Sequence, residues 1–167
     1  HLSDDDIDIQ AKDIDIAIRI GQLPSMTSLI VTKVSPHSRC LVASPEYLSK
    51  HGTPTHPNDL LTHQCLMFTY SDGVKSWNFV AKDRANSDII SVTPKAVLKV
   101  NNSEVLLEAV KHHKGVSLLP DWLTKESLGQ KSITPLLQDY DANPHGRDVN
   151  IYILFPENRR TMKKVRL

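Results

Sequence analysis

Eight histidines in 167 residues are the first side chains to question for chemistry, since imidazole serves both as metal ligand and as proton carrier near neutral pH. His51, His56 and His63 with Cys65 form the densest group. Structural metal sites pair their ligands two to four residues apart, whereas these intervals are irregular and interrupted by Pro54 and Pro57, so the group reads as surface side chains and no metal is expected. His112 and His113 are adjacent and, on a helix, point in different directions. Ser103 could be a nucleophile, but no G-x-S-x-G elbow and no Gly-rich phosphate loop occurs in the chain. A serine at a helix start more simply satisfies backbone N–H groups, and neither an enzyme nor a cofactor is expected. The acidic run Asp4, Asp5, Asp6 and Asp8 reads as a solvated face rather than a cation site. Anion recognition remains: Asn101, Asn102 and Ser103 present amide and hydroxyl groups beside free backbone donors, and Arg19 could grip the same anion through two hydrogen bonds or else serve a structural salt bridge.

The element that must position this loop is the run from Ala96 to Pro120, AVLKVNNSEVLLEAVKHHKGVSLLP. Its β-branched ends suit strands of a parallel sheet. Between them Val105, Leu106, Ala109 and Val110 share one helical face. Asn101 is the expected N-cap, with Glu104 three residues on, and Gly115 the expected left-handed stop. A parallel pair joined by a helix crosses over right-handedly, which places Asn101–Ser103 at a strand's carboxyl end, where open α/β sheets bind ligands.

Around this unit, strands are expected from the alternation of Ile14, Ile16, Ile18 and Ile20 up to Gly21, over Ser28 to Val34, and over Arg39 to Ala43. Ser44-Pro45 opens a short helix that Gly52 closes, and Pro57 to Leu61 makes one or two helical turns. Cys65 to Thr69 is a strand followed by a turn at Ser71 to Gly73, with Trp77 to Val80 as a hairpin or adjacent antiparallel partner and Ile89 to Val92 after it. Asp121 to Leu128 is a helix ended by Gly129. Ile133 to Leu137 is an edge strand, because Pro135 interrupts it. Asp139 to Arg147 reads as a surface loop, Val149 to Phe155 as a last strand, and Glu157 to Leu167 as the start of a basic helix. The alternation of strands and helices argues an α/β fold with antiparallel pieces at its edges.

With 40% hydrophobic and 23% charged residues the chain has an ordinary globular composition that can bury one sizeable core or two small lobes. A net charge of +1 without a basic stripe lacks the footprint of a duplex-binding surface, and no apolar run reaches membrane-spanning length. Cys40 and Cys65 both sit in apolar runs and read as buried reduced thiols, as a cytosolic protein would keep them.

DIDIAIRIG at Asp13 to Gly21, CLVASPEYLSKHGTPTHPNDLLTHQCLMF at Cys40 to Phe68, the Trp77 and Phe79 pair, and VNNSEVLLEAVKHHKGVSLLPDWL at Val100 to Leu123 together resemble the effector-binding domain of LysR-type transcriptional regulators, in order and spacing and nearly end to end. The resemblance implies a type 2 periplasmic-binding-protein-like fold: two Rossmann-like lobes with a ligand cleft between them, residues 1–42 and 151–167 in the first and 43–150 in the second. It implies a cytoplasmic regulator that forms homodimers or tetramers and takes a small-molecule inducer, here anionic or polar. The expected effector-binding residues are Arg19, Ile20, Gly21, Phe68, Asn101, Asn102, Ser103 and Pro120. On this resemblance the family's winged helix-turn-helix, its linker helix and the first strand and helix of its effector domain are expected to be absent from this chain. Operator DNA is therefore expected to be a partner only through that absent segment, and the uncovered sheet edge is expected to promote self-association. An extracytoplasmic solute-binding protein of the same fold is the alternative.

Overall fold

The apolar runs that alternate or are rich in β-branched residues become strands in the computed structural model, which describes residues 14–21, 29–70, 73–83, 88–143 and 150–157, although the first alternation forms a strand only from Ala17, leaving Ile14 and Ile16 outside it. In chain order the elements begin with β1 (Ala17–Gly21), β2 (Leu29–Pro36), β3 (Arg39–Ala43), α1 (Pro45–His51), a 3₁₀ turn (Pro57–Leu61), β4 (Cys65–Tyr70), β5 (Gly73–Val74) and β6 (Trp77–Ala81). They continue with β7 (Ile90–Val92), β8 (Ala96–Val100), α2 (Ser103–Lys111), β9 (Val116–Pro120), α3 (Asp121–Gly129), β10 (Thr134–Leu136), β11 (Tyr140–Asn143) and β12 (Asn150–Pro156). The turn residues Ser71 and Asp72, the acidic run at the start, and residues 158–167, where a basic helix was expected, lie outside the described residues. Two units divide the chain: His1–His37 with Asp148–Leu167, and Ser38–Arg147.

Unit 1 holds a three-stranded antiparallel sheet in the order β1-β12-β2. Pairing of Ile18 with Ile153 and of Ile20 with Ile151 gathers four isoleucines on one face, because directly paired residues share a side. Ile18 and Ile20 are exposed there, while Leu154, pointing to the other side, is fully buried.

Unit 2 is built around β4, which pairs in parallel with β8 on one flank and with β9 on the other. β8 and β9 are thus parallel, as a crossover through α2 requires, but they are not neighbours. β4 fills the gap because it carries the buried run Cys65, Leu66 and Met67, and a run apolar on both sides stabilises most when covered on both faces and both edges. β3 pairs antiparallel with β9 and also meets β10 and β11. Hence the antiparallel strand lies inside the sheet rather than at its margin, and β3, expected with the first lobe, is held entirely by strands of unit 2. β6 pairs with β11 and β7, not with β4. The segment from Tyr140 to Asn143, expected as loop, is recruited as a strand because Tyr140 and Ala142 pack on the core around Trp77 and Phe79.

The helix ends also differ from expectation. Asn102, not Asn101, caps α2, its Oδ1 accepting from the backbone of Glu104 at 2.8 Å and Val105 at 3.1 Å. At its other end the left-handed residue is His113, φ 62°. Lys114 N–H reaches Ala109 O at 3.0 Å and His113 N–H reaches Val110 O at 2.9 Å, a Schellman closure whose two bonds offset the cost of left-handed histidine. α3 closes in the same way through Lys131, φ 58°, so Gly129 lies within the helix. Gly115 has another use: a Cβ there would stand 2.2 Å from Gln64 O, so only glycine lets β9 begin this close to the start of β4. α1 follows the sequence reading, with Ser44 as N-cap and Gly52 as C-cap. Two apolar layers result. Leu41, Tyr47, Leu60, Cys65, Met67, Trp77, Phe79 and Leu118 pack on one face of the sheet. Val42, Leu66, Leu106, Leu107, Val110, Leu119 and Ile133 pack on the other, beneath α2.

Candidate functional site

The strand pairings of unit 2 bring several of the sequence-predicted residues to one edge. Phe68 is paired with Val100, so it stands beside the strand end from which Asn101, Asn102 and Ser103 lead into α2. Pro120 ends β9 on the other flank of β4 and is the N-cap residue of α3, without a side-chain capping bond. The carboxyl ends of all three parallel strands, and the amino ends of both helices, therefore meet there, which is the ligand-binding edge of open α/β sheets. Asn101 and Asn102 are exposed and Ser103 half-buried. Asn102 Oδ1 is committed to two backbone donors of its own helix. At α3 the Asp121 N–H donates to Ser38 O at 3.2 Å, and Ser38 Oγ donates to Asp121 Oδ2. Phe68 and Tyr70 stack obliquely, with ring centroids 4.8 Å apart at 57°, forming an aromatic wall on this edge.

Arg19, Ile20 and Gly21 belong to unit 1. They lie on β1, paired with Tyr152, Ile151 and Asn150 of β12. Arg19 is half-buried and already has an interaction partner, so it is not a spare cation.

The residue that the sequence reading passed over is Arg39. It opens β3, paired with Pro120 on β9 and Ala142 on β11, and so stands at the same carboxyl edge. The residue is half-buried, and burial holds its pKa below the ordinary arginine value, with Tyr70 acting in the opposite direction. Nη1 donates to Leu118 O at 3.5 Å, at the long limit of a hydrogen bond, and Nε is buried without a partner. Thr69 Oγ1 is likewise buried and unpartnered. One sequence signal was available: a cation opens an otherwise buried apolar strand, RCLVA, with no acid beside it.

The histidines serve local structure. Tyr47 Oη accepts from the Gln64 N–H at 2.9 Å and hydrogen-bonds His63 Nδ1 at 3.2 Å, the imidazole tautomer setting which of the two donates. Burial and the neighbouring His51 keep the His63 pKa low, and His51 stacks on Tyr47 at 4.4 Å. His56 and Asp59 form a capping box on the 3₁₀ turn. His113 bridges Ser44 Oγ at 2.8 Å and Glu46 Oε2 at 3.2 Å. Cys65 is buried, but Cys40, expected to be so, is only half-buried, because it lies near the start of β3.

Comparison with known proteins extends the geometry. The profile of the LysR substrate binding domain matches residues 2–167. The uncharacterized HTH-type transcriptional regulator YcaN of Escherichia coli is 32% identical over 149 residues, which is 87% of this chain and 47% of that protein. CrgA of Neisseria meningitidis, also an HTH-type regulator, is 28% identical over 137 residues, 82% of this chain and 44% of CrgA. Full-length AphB, the Vibrio cholerae virulence activator, superposes with a TM-score of 0.81 at 27% identity, covering 99% of this chain and 53% of AphB. The regulatory domain of AphB from Vibrio vulnificus gives 0.71 at 28% identity, covering 92% of this chain and 71% of the domain. The chain thus spans about half the length of the relatives it matches.

Proposed function

Because the chain belongs to the LysR substrate binding domain family, we propose that it senses a small anionic or strongly polar effector on behalf of a longer transcriptional regulator. Domains of this family are the effector-binding part of LysR-type regulators and have the type 2 periplasmic-binding-protein-like fold. The observation that carries the ligand reading is the convergence of Phe68, Asn101–Ser103 and Pro120 on the edge where three parallel strands end and two helices begin. Arg19, Ile20 and Gly21 enter on the family resemblance and are tested separately by Arg19→Ala. DNA contact is assigned to the part of the relatives that this match does not cover, homodimer or tetramer formation and a cytoplasmic location to the whole regulator, and no catalysis to this chain. The matched relatives are HTH-type regulators, which favours this reading over a solute-binding protein.

A thermal-shift screen tests it. A ligand at 100 times its dissociation constant stabilises the native state by about 2.7 kcal/mol. Small carboxylates, phosphates or polar metabolites should raise the melting temperature, and a screen in which only neutral apolar compounds do so refutes the anionic reading. In a gel shift this chain alone should give no sequence-dependent complex with duplex DNA at about 200 mM salt. A salt-resistant, sequence-dependent complex overturns the division of labour.

A further inference from the structure

We propose that Arg39, assisted by the Thr69 hydroxyl, receives the carboxylate of the effector, and that the effector is a monocarboxylate. The assignment rests on the effector-binding reading and names the residues and ligand class that carry it. Buried guanidinium groups are normally paired with an acid, because a desolvated charge without a partner is costly. Among the described residues Arg39 forms no ion pair, its one hydrogen bond is the long contact to Leu118 O, and its Nε is orphaned.

Thr69 supplies the second observation, since its buried Oγ1 also has no partner. The strand registers place both residues on one face of the sheet. Cys65 pairs with Val116, and by alternation Met67 and Thr69 share the face of Leu118 and Pro120. Pro120 in turn pairs with Arg39. Two orphaned polar groups thus share one face at the carboxyl edge, the face of Pro120 and opposite to that of Phe68, with Tyr70 close to Arg39 and with Leu118 and, through Ala142, Phe79 as apolar neighbours.

The chemistry of the pair selects the ligand. A guanidinium fork matches the two oxygens of a carboxylate, and a hydroxyl adds a third hydrogen bond to the same group. Arg39 offers one positive charge; around the adjacent Cys40, Lys82 is paired with Asp141 at 3.6 Å and the Asp121 carboxylate, which accepts from Ser38, adds a negative charge that further disfavours a multiply charged anion. One cation in this setting neutralises a monocarboxylate and leaves a phosphate or dicarboxylate with uncompensated charge.

The test uses the full chain and the variants Arg39→Met, Arg39→Lys and Thr69→Val in a buffer free of carboxylate and phosphate. Melting is followed alone and with acetate, benzoate, malate or inorganic phosphate. Without anion, Arg39→Met should melt at or above the wild type, since it removes a half-buried unpaired charge. Acetate or benzoate at ten times its dissociation constant should raise the wild-type midpoint by about 4 °C, an effect lost in Arg39→Met and reduced in Arg39→Lys and Thr69→Val. An Arg39→Met chain that melts well below the wild type, or does not fold, makes Arg39 structural and overturns the assignment. A monocarboxylate shift that survives Arg39→Met intact refutes Arg39 while leaving the effector reading standing. A shift with phosphate or malate but neither monocarboxylate overturns the ligand class, and no shift with any anion refutes the assignment and the anionic reading together.

Discussion

Replacing Gly115 with alanine should be the most damaging single-methyl change in unit 2. The added Cβ would lie 2.2 Å from Gln64 O, 3.0 Å from Gln64 C and 3.3 Å from Gln64 Cβ. Relief requires the start of β9 to retreat from the start of β4, yet the same Gln64 carbonyl accepts from Val116 N–H at 2.8 Å. That bond contributes about 1 kcal/mol. The backbone at φ +154° adds strain of about 1–3 kcal/mol for a residue with a side chain, and overpacking another 1–3 kcal/mol. These costs overlap, since one displacement relieves several of them, so about 3 kcal/mol is expected, or a fall of about 10 °C in a chain of this size. Gly52→Ala is the control. Gly52 also has positive φ, +82°, but nothing lies within 4 Å of the position an added Cβ would take, so only the conformational cost of about 1–3 kcal/mol applies, without clash or a displaced strand. Urea denaturation of both variants, followed by far-ultraviolet circular dichroism, separates clash from strain. If Gly115→Ala costs no more than Gly52→Ala, the close approach of β4 and β9 does not exist in solution.

Asn102→Ala should cost about 1 kcal/mol in urea, because two backbone donors of α2 lose their acceptor, whereas Asn101→Ala should stay within about 0.5 kcal/mol; equal losses would contradict the cap. His63 has a lowered folded-state pKa, so its contribution is fully present above the unfolded value of 6.5 and is lost as pH falls through the lower folded value. The melting temperature of His63→Gln should accordingly change less between neutral and mildly acidic pH than that of the wild type, and an undiminished dependence would remove His63 from the cause. Cys65, with its thiol pushed by burial to about 12, and Cys40, pushed to about 11, should both resist iodoacetamide at neutral pH until the chain unfolds, as mass spectrometry can follow; rapid labelling of native Cys65 would show that β4 opens.

The elements were legible because they are coded locally. Ser44-Pro45 and Gly52 bracket α1 as capping chemistry requires. The β-branched runs at Ala96–Val100 and Val116–Pro120 became parallel strands, and Asn101–Ser103 came to the carboxyl edge of the sheet. Errors of one residue, such as Asn101 for Asn102 as the cap of α2, arise because both asparagines satisfy the same local preference, and only the strand's last pairing, Phe68 with Val100, decides where the helix can begin.

What tertiary structure alone decided is which strands are neighbours. Nothing in the run from Ala96 to Pro120 states that β4 will lie between its two strands, or that Tyr140–Asn143 will be drawn in to cover β6. Those pairings join residues far apart in the chain, and their free energy comes from burying apolar faces whose partners are absent from any local window. Arg39 illustrates the consequence for function. As a letter in the sequence it is an ordinary cation before an apolar run. It becomes a half-buried cation with an enclosed, orphaned Nε only because β9 and β11 close on either side of β3, while the nearby Asp121 carboxylate is held by Ser38.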